Sequence, residues 1–196
     1  MWYFSWILGV LLACSLGIIN VLRLEAQLAL AKENEVIDPL TQLLCKDSML
    51  TRLQEKTDNS RRNGLPFSLL YLSLRDFKIK HTLLDHEMDT TLLKVVKTMK
   101  QDIRLGVDIA ARVGPEELLL ALPGVSQEHA EQIAQKIKSD IFNQVKTPGN
   151  IAVEVMIGVA EYSTHADLFR LDRLTGEEEV NALLDIAQSQ LGEAVA

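Results

Sequence analysis

The sequence predicts an α/β fold with a mixed central sheet, preceded by one transmembrane helix. Three observations lead to this prediction. The first 22 residues carry no charged side chain. Strand-like and helix-like patterns then alternate, and two adjacent strand patterns are separated only by a tight turn, which predicts a hairpin. Beyond the first 36 of the 196 residues, enough chain remains for one domain with its own core. We therefore expect a helix and helical stalk over residues 1–36 and a folded domain over 37–196.

Residues 1–22 form the first predicted element. At about 1.5 Å per residue, a helix of this length reaches about 31 Å and can cross a bilayer. Its front carries aromatic rings of the kind that sit at a headgroup boundary, namely Trp2, Tyr3 and Trp6. Arg23 and Lys32 follow the segment, and no Lys or Arg precedes it. The positive-inside rule therefore predicts a single-pass inner-membrane protein with its N-terminus outside and its C-terminal domain in the cytoplasm.

Three other interpretations of this segment were weighed. A cleaved signal peptide needs a basic n-region, which the sequence lacks. A lipoprotein signal would end at Cys14, yet the apolar run continues beyond that residue. A buried helix of a soluble protein rarely reaches this length without charge.

The next elements follow from helix formers, breakers and periodicity. Residues 24–36 are rich in Ala, Leu, Glu and Lys and predict a helical stalk, which ends before Pro39. A helix is expected over residues 46–62, with Asn63-Gly64 after it. The apolar run 67–74 predicts a buried strand. A long helix is expected over 85–105.

The second half predicts a hairpin and two more helices. Strands are expected over 107–113 and 117–122, joined by a turn at Gly114-Pro115. Ser126 is expected to cap a helix, whose apolar positions recur at helical spacing: Ala130, Ile133, Ala134, Ile137, Ile141 and Val145. A strand over 151–162, a loop over 163–176 and a helix from Glu177 complete the chain. The acidic run at residues 177–179 predicts a charged first helical turn, and Arg61-Arg62 a solvated helix end or a contact with anionic lipid.

Composition excludes several functions. The formal net charge of −7 argues against a nucleic-acid polymer as partner. The two cysteines, Cys14 and Cys45, are not expected to pair. The four histidines are scattered without metal-ligand spacing, and Ser, His and Asp show no triad pattern. The sequence therefore predicts neither a metal site nor a cofactor.

The N-terminal segment MWYFSWILGVLLACSLGIINVLRLE resembles the small single-helix subunit of cytochrome bd quinol oxidase, the CydX/YbgT family. The resemblance implies packing within the bilayer against the large subunits of that oxidase. Small residues at four-residue spacing would let a neighbouring helix approach: Gly9, Ala13 and Gly17.

The rest of the chain resembles the GGDEF family, the diguanylate cyclases. Arg112-Val113-Gly114-Pro115-Glu116-Glu117-Leu118 matches the family signature, and we call residues 114–117 the signature turn. Asp38-Pro39-Leu40-Thr41 matches the family's entry motif, Phe77-Lys78 and His86 its middle segment, and Ile157-Gly158-Val159-Ala160 its late strand. The resemblance implies a ferredoxin-like, cyclase-palm domain.

Several family positions carry other residues. The metal-binding aspartates fall at Ser73 and Arg75, the guanine-reading residues at His81 and Thr90, and the second signature glycine at Pro115. Proline offers no N–H to a phosphate. The product-inhibition motif keeps Asp108, whereas Arg104 stands one position early and is expected to point elsewhere.

These departures predict a degenerate domain that is not an enzyme and has no catalytic residue. A vestigial nucleotide site would consist of Gly114, Glu116, Glu117 and Lys78. The expected function is accessory: a membrane-anchored regulatory protein associated with cytochrome bd oxidase. The alternatives are a receptor domain for GTP or cyclic di-GMP and a weak diguanylate cyclase.

Overall fold

The computed structural model describes residues 36–74, 84–104, 106–147, 149–162 and 176–191, together with residues 3, 4, 6, 7, 9, 10, 14 and 18–23. The chain divides into two compact units, Met1–Val36 and Ile37–Ala196.

The second unit is built around a five-stranded mixed sheet. Its strands are β1 (Leu44–Cys45), β2 (Phe67–Ser73), β3 (Ile109–Gly114), β4 (Glu117–Pro123) and β5 (Met156–Tyr162). They lie in the order β1-β3-β4-β2-β5. The short β1 pairs with β3 in parallel, and the other pairings are antiparallel. The predicted α/β fold with a mixed sheet is therefore confirmed.

Four helices cover the two faces of the sheet. They are α1 (Lys46–Asn63), α2 (Asp85–Asp102), α3 (Gln127–Gln144) and α4 (Gly176–Ser189). Successive residues of a strand point to opposite faces, so β2 contributes Leu70 and Leu72 to the core under α2 and α3. It contributes Leu69 and Tyr71 to the core under α1 and α4. Burial on both faces explains why β2 is apolar almost throughout.

Most predicted elements are present, with shifted ends. The second helix ends at Asp102, three residues earlier than expected, because Ile103 is already extended. Strand β5 begins at Met156 instead of residue 151, and the preceding segment makes one isolated bridge, between Lys146 and Ala152. The predicted loop at 163–176 lies outside the described residues except for Gly176, which begins α4.

The first unit is helical at residues 3, 4, 6, 7, 9, 10, 14 and 18–23. Tyr3, Phe4 and Trp6 are each more than 70% exposed there. Gly9 is one of these helical residues, and a Cβ atom at its position would meet nothing within 4 Å. Ala13 and Gly17, the other two predicted packing positions, lie outside the described residues. Within the described part of the chain, no helix combines the length and the apolar character that crossing a membrane requires.

Candidate functional site at the signature turn

The signature turn is the tip of the β3–β4 hairpin. Gly114 ends β3 and pairs with Glu117 at the start of β4, after a register shift that begins at Arg112. A Cβ atom on Gly114 would collide with the Glu117 carboxylate and lie 3.1 Å from its Cβ. A side chain at position 114 would therefore displace the Glu117 carboxylate, and Glu116 and Glu117 follow one another where β4 begins.

Arg112 holds the turn from within the hairpin. Its Nη2 donates to the carbonyl oxygen of Pro115 at 2.8 Å, and its Nε donates to that of Gly114 at 3.2 Å. Its Nη1 lies 3.2 and 3.3 Å from the two carboxylate oxygens of Asp38. The side chains of Arg112 and Asp38 are each 17% exposed. The guanidinium thus ties the turn to the segment through which the chain enters the domain.

Asp38 is fixed by its own local turn. Its Oδ2 accepts hydrogen bonds from the backbone N–H and the hydroxyl of Thr41, each at 2.7 Å. Burial acts to raise the pKa of the Asp38 carboxyl. The hydrogen bonds from Thr41 and the charge of Arg112 outweigh burial and hold that pKa below its ordinary value. The carboxylate therefore stays ionised and keeps its ion pair with Arg112. Sequence reasoning named both residues only as motif letters and missed their contact.

Ser73, the last residue of β2, lies beside the turn in the sheet. Ser73 is 4% exposed and stands opposite Glu117 in the sheet register. The N–H of Leu74 donates to the carbonyl oxygen of Glu116 at 3.0 Å, which extends the pairing up to the turn. Lys78, Arg75 and His81 lie outside the described residues.

The arrangement offers two half-buried carboxylates and one hydroxyl. Among the residues that the structure describes, no three His, Cys, Asp or Glu side chains are grouped so that they could hold a metal ion. Mg²⁺ in nucleotide sites takes one or two carboxylates and completes its shell with phosphate oxygens and water. The chemistry of this turn therefore suits a cation that arrives with a nucleotide better than a cation bound alone.

Other family positions lie away from the turn. Thr90 is exposed on α2, and its hydroxyl donates to the carbonyl oxygen of His86. The prediction that Arg104 points away from Asp108 is wrong. Arg104 Nη2 lies 2.6 Å from Asp108 Oδ1, and the same guanidinium donates to the carbonyl oxygen of Pro123. The backbone N–H groups of Val107 and Asp108 both donate to the carbonyl oxygen of Arg104, which brings the two side chains together despite the changed spacing.

The acidic run in α4 makes a contact that the sequence does not predict. Glu179 is 4% exposed and forms an ion pair with Arg61 at the end of α1. The hydroxyl of Tyr162 lies 3.5 Å from the same carboxylate. The pKa of the Tyr162 hydroxyl is raised, and burial is the main cause. The predicted charged first turn of α4 is confirmed, and Arg61 at the end of α1 is half exposed. The ion pair between the two helices was not predicted, because 118 residues separate the partners and only the fold brings them together.

Comparison with known proteins places these features in a family. The family model described as "Diguanylate cyclase, GGDEF domain" matches residues 35–190. A second model, "Membrane bound YbgT-like protein", matches residues 1–27. The two likenesses predicted from the sequence are confirmed at this level, and the second match indicates an association with the membrane.

Curated relatives match only part of their length. The chain is 34% identical to the protein YhcK of Bacillus subtilis over 105 aligned residues. The alignment covers 52% of this chain and 29% of that protein. It is 26% identical over 144 residues to the diguanylate cyclase DosC of Escherichia coli, in an alignment that covers 72% of this chain and 31% of that protein. The chain thus spans about a third of the length of these relatives.

Solved structures share the fold. The diguanylate cyclase SiaD of Pseudomonas aeruginosa, solved with its activator SiaC, superposes with a TM-score of 0.65 at 23% identity, over 95% of this chain and 68% of that one. The coiled coil and GGDEF domain of DgcB from Caulobacter crescentus, solved with c-di-GMP, gives 0.66 at 18% identity, over 91% and 90%. These likenesses establish the GGDEF fold for the folded unit.

One prediction is contradicted by these comparisons. From Ser73, Arg75 and Pro115 we expected a chain that is not an enzyme. The family model, the cyclase relative and the cyclase structure instead point to a diguanylate cyclase fold. Substitutions at individual site positions leave the fold intact, and Glu116 and Glu117 of the signature are retained.

Proposed function

We propose that the folded unit binds a guanine nucleotide at the signature turn and acts as the regulatory domain of a membrane-associated protein. The chain belongs to the GGDEF domain family, and this membership supports the proposal. The observation that carries the proposal is the network of Asp38, Arg112 and the Pro115 carbonyl. It ties the turn to the entry segment through Arg112, next to Glu116 and Glu117. A preorganised turn lowers the entropic cost of capturing a ligand.

The substituted positions are proposed to alter how the nucleotide is held. Ser73 supplies a hydroxyl where the family has a carboxylate, and Pro115 removes one N–H from the turn. The phosphates would then rely more on a cation shared with Glu116 and Glu117. Either GTP or cyclic di-GMP, which both present guanine and phosphate, is a candidate ligand.

Calorimetry on the full chain in mild detergent tests this proposal. We expect saturable binding of GTP or cyclic di-GMP in the presence of Mg²⁺, and at least tenfold weaker binding for Glu117→Ala and Arg112→Ala. Glu154→Ala, which removes an exposed glutamate away from the turn, is the matched control and should bind normally. Chromatography of the same samples shows whether GTP is converted to cyclic di-GMP. Absence of binding by either nucleotide to folded protein would refute the proposal.

A second proposal concerns the N-terminal unit. The match of residues 1–27 to a YbgT-like membrane family supports a helix that crosses the inner membrane and packs against the large subunits of cytochrome bd oxidase. Arg23 and Lys32 favour an outside N-terminus and a cytoplasmic domain. The nucleotide domain would then stand next to a respiratory enzyme and regulate or stabilise it.

Copurification tests the partnership. Tagged full chain should recover a haem-bearing oxidase in mild detergent. Gly9→Leu with Gly17→Leu should reduce the recovered haem, since bulk at these positions would prevent close helix approach. Leu8→Ile with Ile18→Leu, which preserve volume, should leave it unchanged. A C-terminal reporter active only in the periplasm should stay silent. Recovery of no haem would refute the partnership, and a strong periplasmic signal would refute the topology.

A further inference from the structure

The free edge of β5 borders a polar groove of about 320 Å³. Among the described strands, none lies on the outer side of β5. The groove is walled by α3 and β5 and closed at one side by the residue after α4, and its lining includes Glu131, Gln135, Lys138, Ile157, Val159 and Gln190. An open strand edge is a template for pairing with another strand.

A side chain of the same molecule covers the outer backbone of β5 at Val159. The N–H of Val159 points away from β2, since it donates to the side-chain oxygen Oε1 of Gln190 at 3.2 Å. Because outward and inward groups alternate along an antiparallel strand, the N–H and C=O groups of Ile157 face the same way. The hydrogen bond from this N–H to the amide oxygen of Gln190 can be exchanged for a bond to another acceptor. The strand can therefore exchange the Gln190 amide for backbone partners.

The exposed face of α3 carries charge in a self-complementary pattern. Glu131 and Lys138 stand seven residues apart on the groove side, which is two helical turns or about 10.5 Å along the axis. Gln135 lies between them. A two-fold axis near Gln135 would turn α3 against its copy and set Glu131 of one molecule opposite Lys138 of the other. The backbone N–H of Gln127, at the start of α3, donates to Glu161 on β5 at 3.1 Å, so α3 and β5 lie side by side at that end.

We infer that the β5 edge and the adjoining face of α3 form an interface between two copies of this chain. Two β5 strands pair antiparallel about Gly158, so that Ile157 of one copy bonds Val159 of the other. Two symmetric pairs of Glu131 and Lys138 flank the strands. A second copy fits this edge because its two charges are opposite and equally spaced about the axis. The inference goes beyond nucleotide binding and does not depend on it.

Sedimentation of the full chain in mild detergent tests the interface. Glu131→Lys and Lys138→Glu should each weaken self-association by about tenfold, because two exposed attractive pairs per dimer become repulsive. The double variant, in which the two charges are exchanged, should restore the affinity of the parent. Gln190→Ala, which uncovers the Val159 N–H, should tighten association several-fold. Glu55→Lys with Lys97→Glu, on exposed positions of α1 and α2, is the control and should change little.

A crosslink reports on the same axis independently. In a chain with Cys14 and Cys45 replaced by Ser, Gln135→Cys should form a disulfide-linked dimer on mild oxidation, whereas Asp89→Cys on α2 should not. Sedimentation as a monomer at tens of micromolar would overturn the inference. So would an association that ignores both charge reversals, a double variant as weak as the single ones, or the absence of a Gln135→Cys dimer.

Discussion

At the scale of single residues, Arg112 is the side chain on which the candidate site depends most. It donates to two carbonyl oxygens of the signature turn and to Asp38, while Thr41 holds Asp38 from the other side. The sequence supplied these letters through a motif, but not the contact that joins them. Asp38 and Arg112 stand 74 positions apart, and the sequence does not show that they are in contact. Only the fold brings β3 beside the entry segment.

The first prediction concerns Asp38. Hydrogen bonds to a charged group contribute about 1.5–3 kcal/mol each, so Asp38→Asn should lower the free energy of unfolding by about 2 kcal/mol at pH 7. The pKa of Asp38 is lowered in the folded protein, so its contribution is present above the ordinary value of 3.8 and is lost as pH falls below it. Urea unfolding at pH 7 and pH 3 should show the difference between parent and variant shrinking in acid. Asp89→Asn, on an exposed position of α2, should show no such loss. An undiminished difference at pH 3 would contradict the role assigned to the carboxylate.

At the scale of elements, periodicity predicted the strands and helices well and their ends less well. The apolar spacing in α3 is reproduced by its burial, since Ala130, Ala134, Ile137 and Ile141 are all buried. Ends depend on tertiary contacts that periodicity does not contain. Ser126 does precede α3, but its hydroxyl lies 3.0 Å from the His129 ring rather than on a backbone N–H. Glu161 from β5 accepts the N–H of Gln127 instead, at 3.1 Å.

The second prediction follows for this helix start. Glu161→Ala should destabilise the protein by about 1 kcal/mol, since it removes both a hydrogen bond and a negative charge at a helix N-terminus. Ser126→Ala should cost less than half of that, because its hydroxyl bonds no backbone donor of the helix. Chemical unfolding of both variants compares the two. A larger loss from Ser126→Ala would show that the local cap, and not the strand, holds this end.

The third prediction concerns the packing of β5 on α4. A Cβ atom on Gly158 would press against the backbone of Ala187, 3.0 Å from its carbonyl carbon. Backbone in a packed helix cannot move aside cheaply, so Gly158→Ala should lower the free energy of unfolding by about 1–3 kcal/mol. Gly149→Ala is the matched control, since its nearest atom would be the Thr147 hydroxyl at an ordinary 3.7 Å. Equal stabilities of the two variants would argue against this close approach.

At the scale of the whole molecule, the two helical layers are joined to the sheet by contacts that no local pattern reveals. The α/β class and the family could be predicted because strand alternation and motif order are written along the chain. The pair of Arg61 and Glu179 could not, since each residue reads as a solvated charge within its own helix. The prediction that the chain is not an enzyme failed for a similar reason. The substituted residues are visible in the sequence, whereas the geometry that Arg112 maintains is not.

The fourth prediction addresses that pair. Arg61 is about half exposed, whereas Glu179 is buried beside Tyr162. Arg61→Ala should destabilise the protein by about 3 kcal/mol, because it leaves a buried carboxylate without its cation. Arg61→Ala combined with Glu179→Gln should recover part of this loss, since the remaining group is then neutral. Thermal unfolding of the single and double variants measures the recovery. A double variant less stable than Arg61→Ala would contradict the assignment.

The entry segment has a mechanical consequence. A chain tethered by its N-terminal end transmits tension into the domain at Ile37, which is bridged to Leu44 and followed by the two-residue strand β1. So short a pairing has few bonds to share a load, and it yields before the long strands β2 and β4 do. The force then passes through Asp38 and Arg112 to the signature turn. Pulling on the N-terminal end in optical tweezers should show a low-force extension before the main unfolding event, and Asp38→Asn should move it to lower force. Absence of that early step would mean that the entry segment does not yield first. With it, strain on the N-terminal end would reach the signature turn through Asp38 and Arg112.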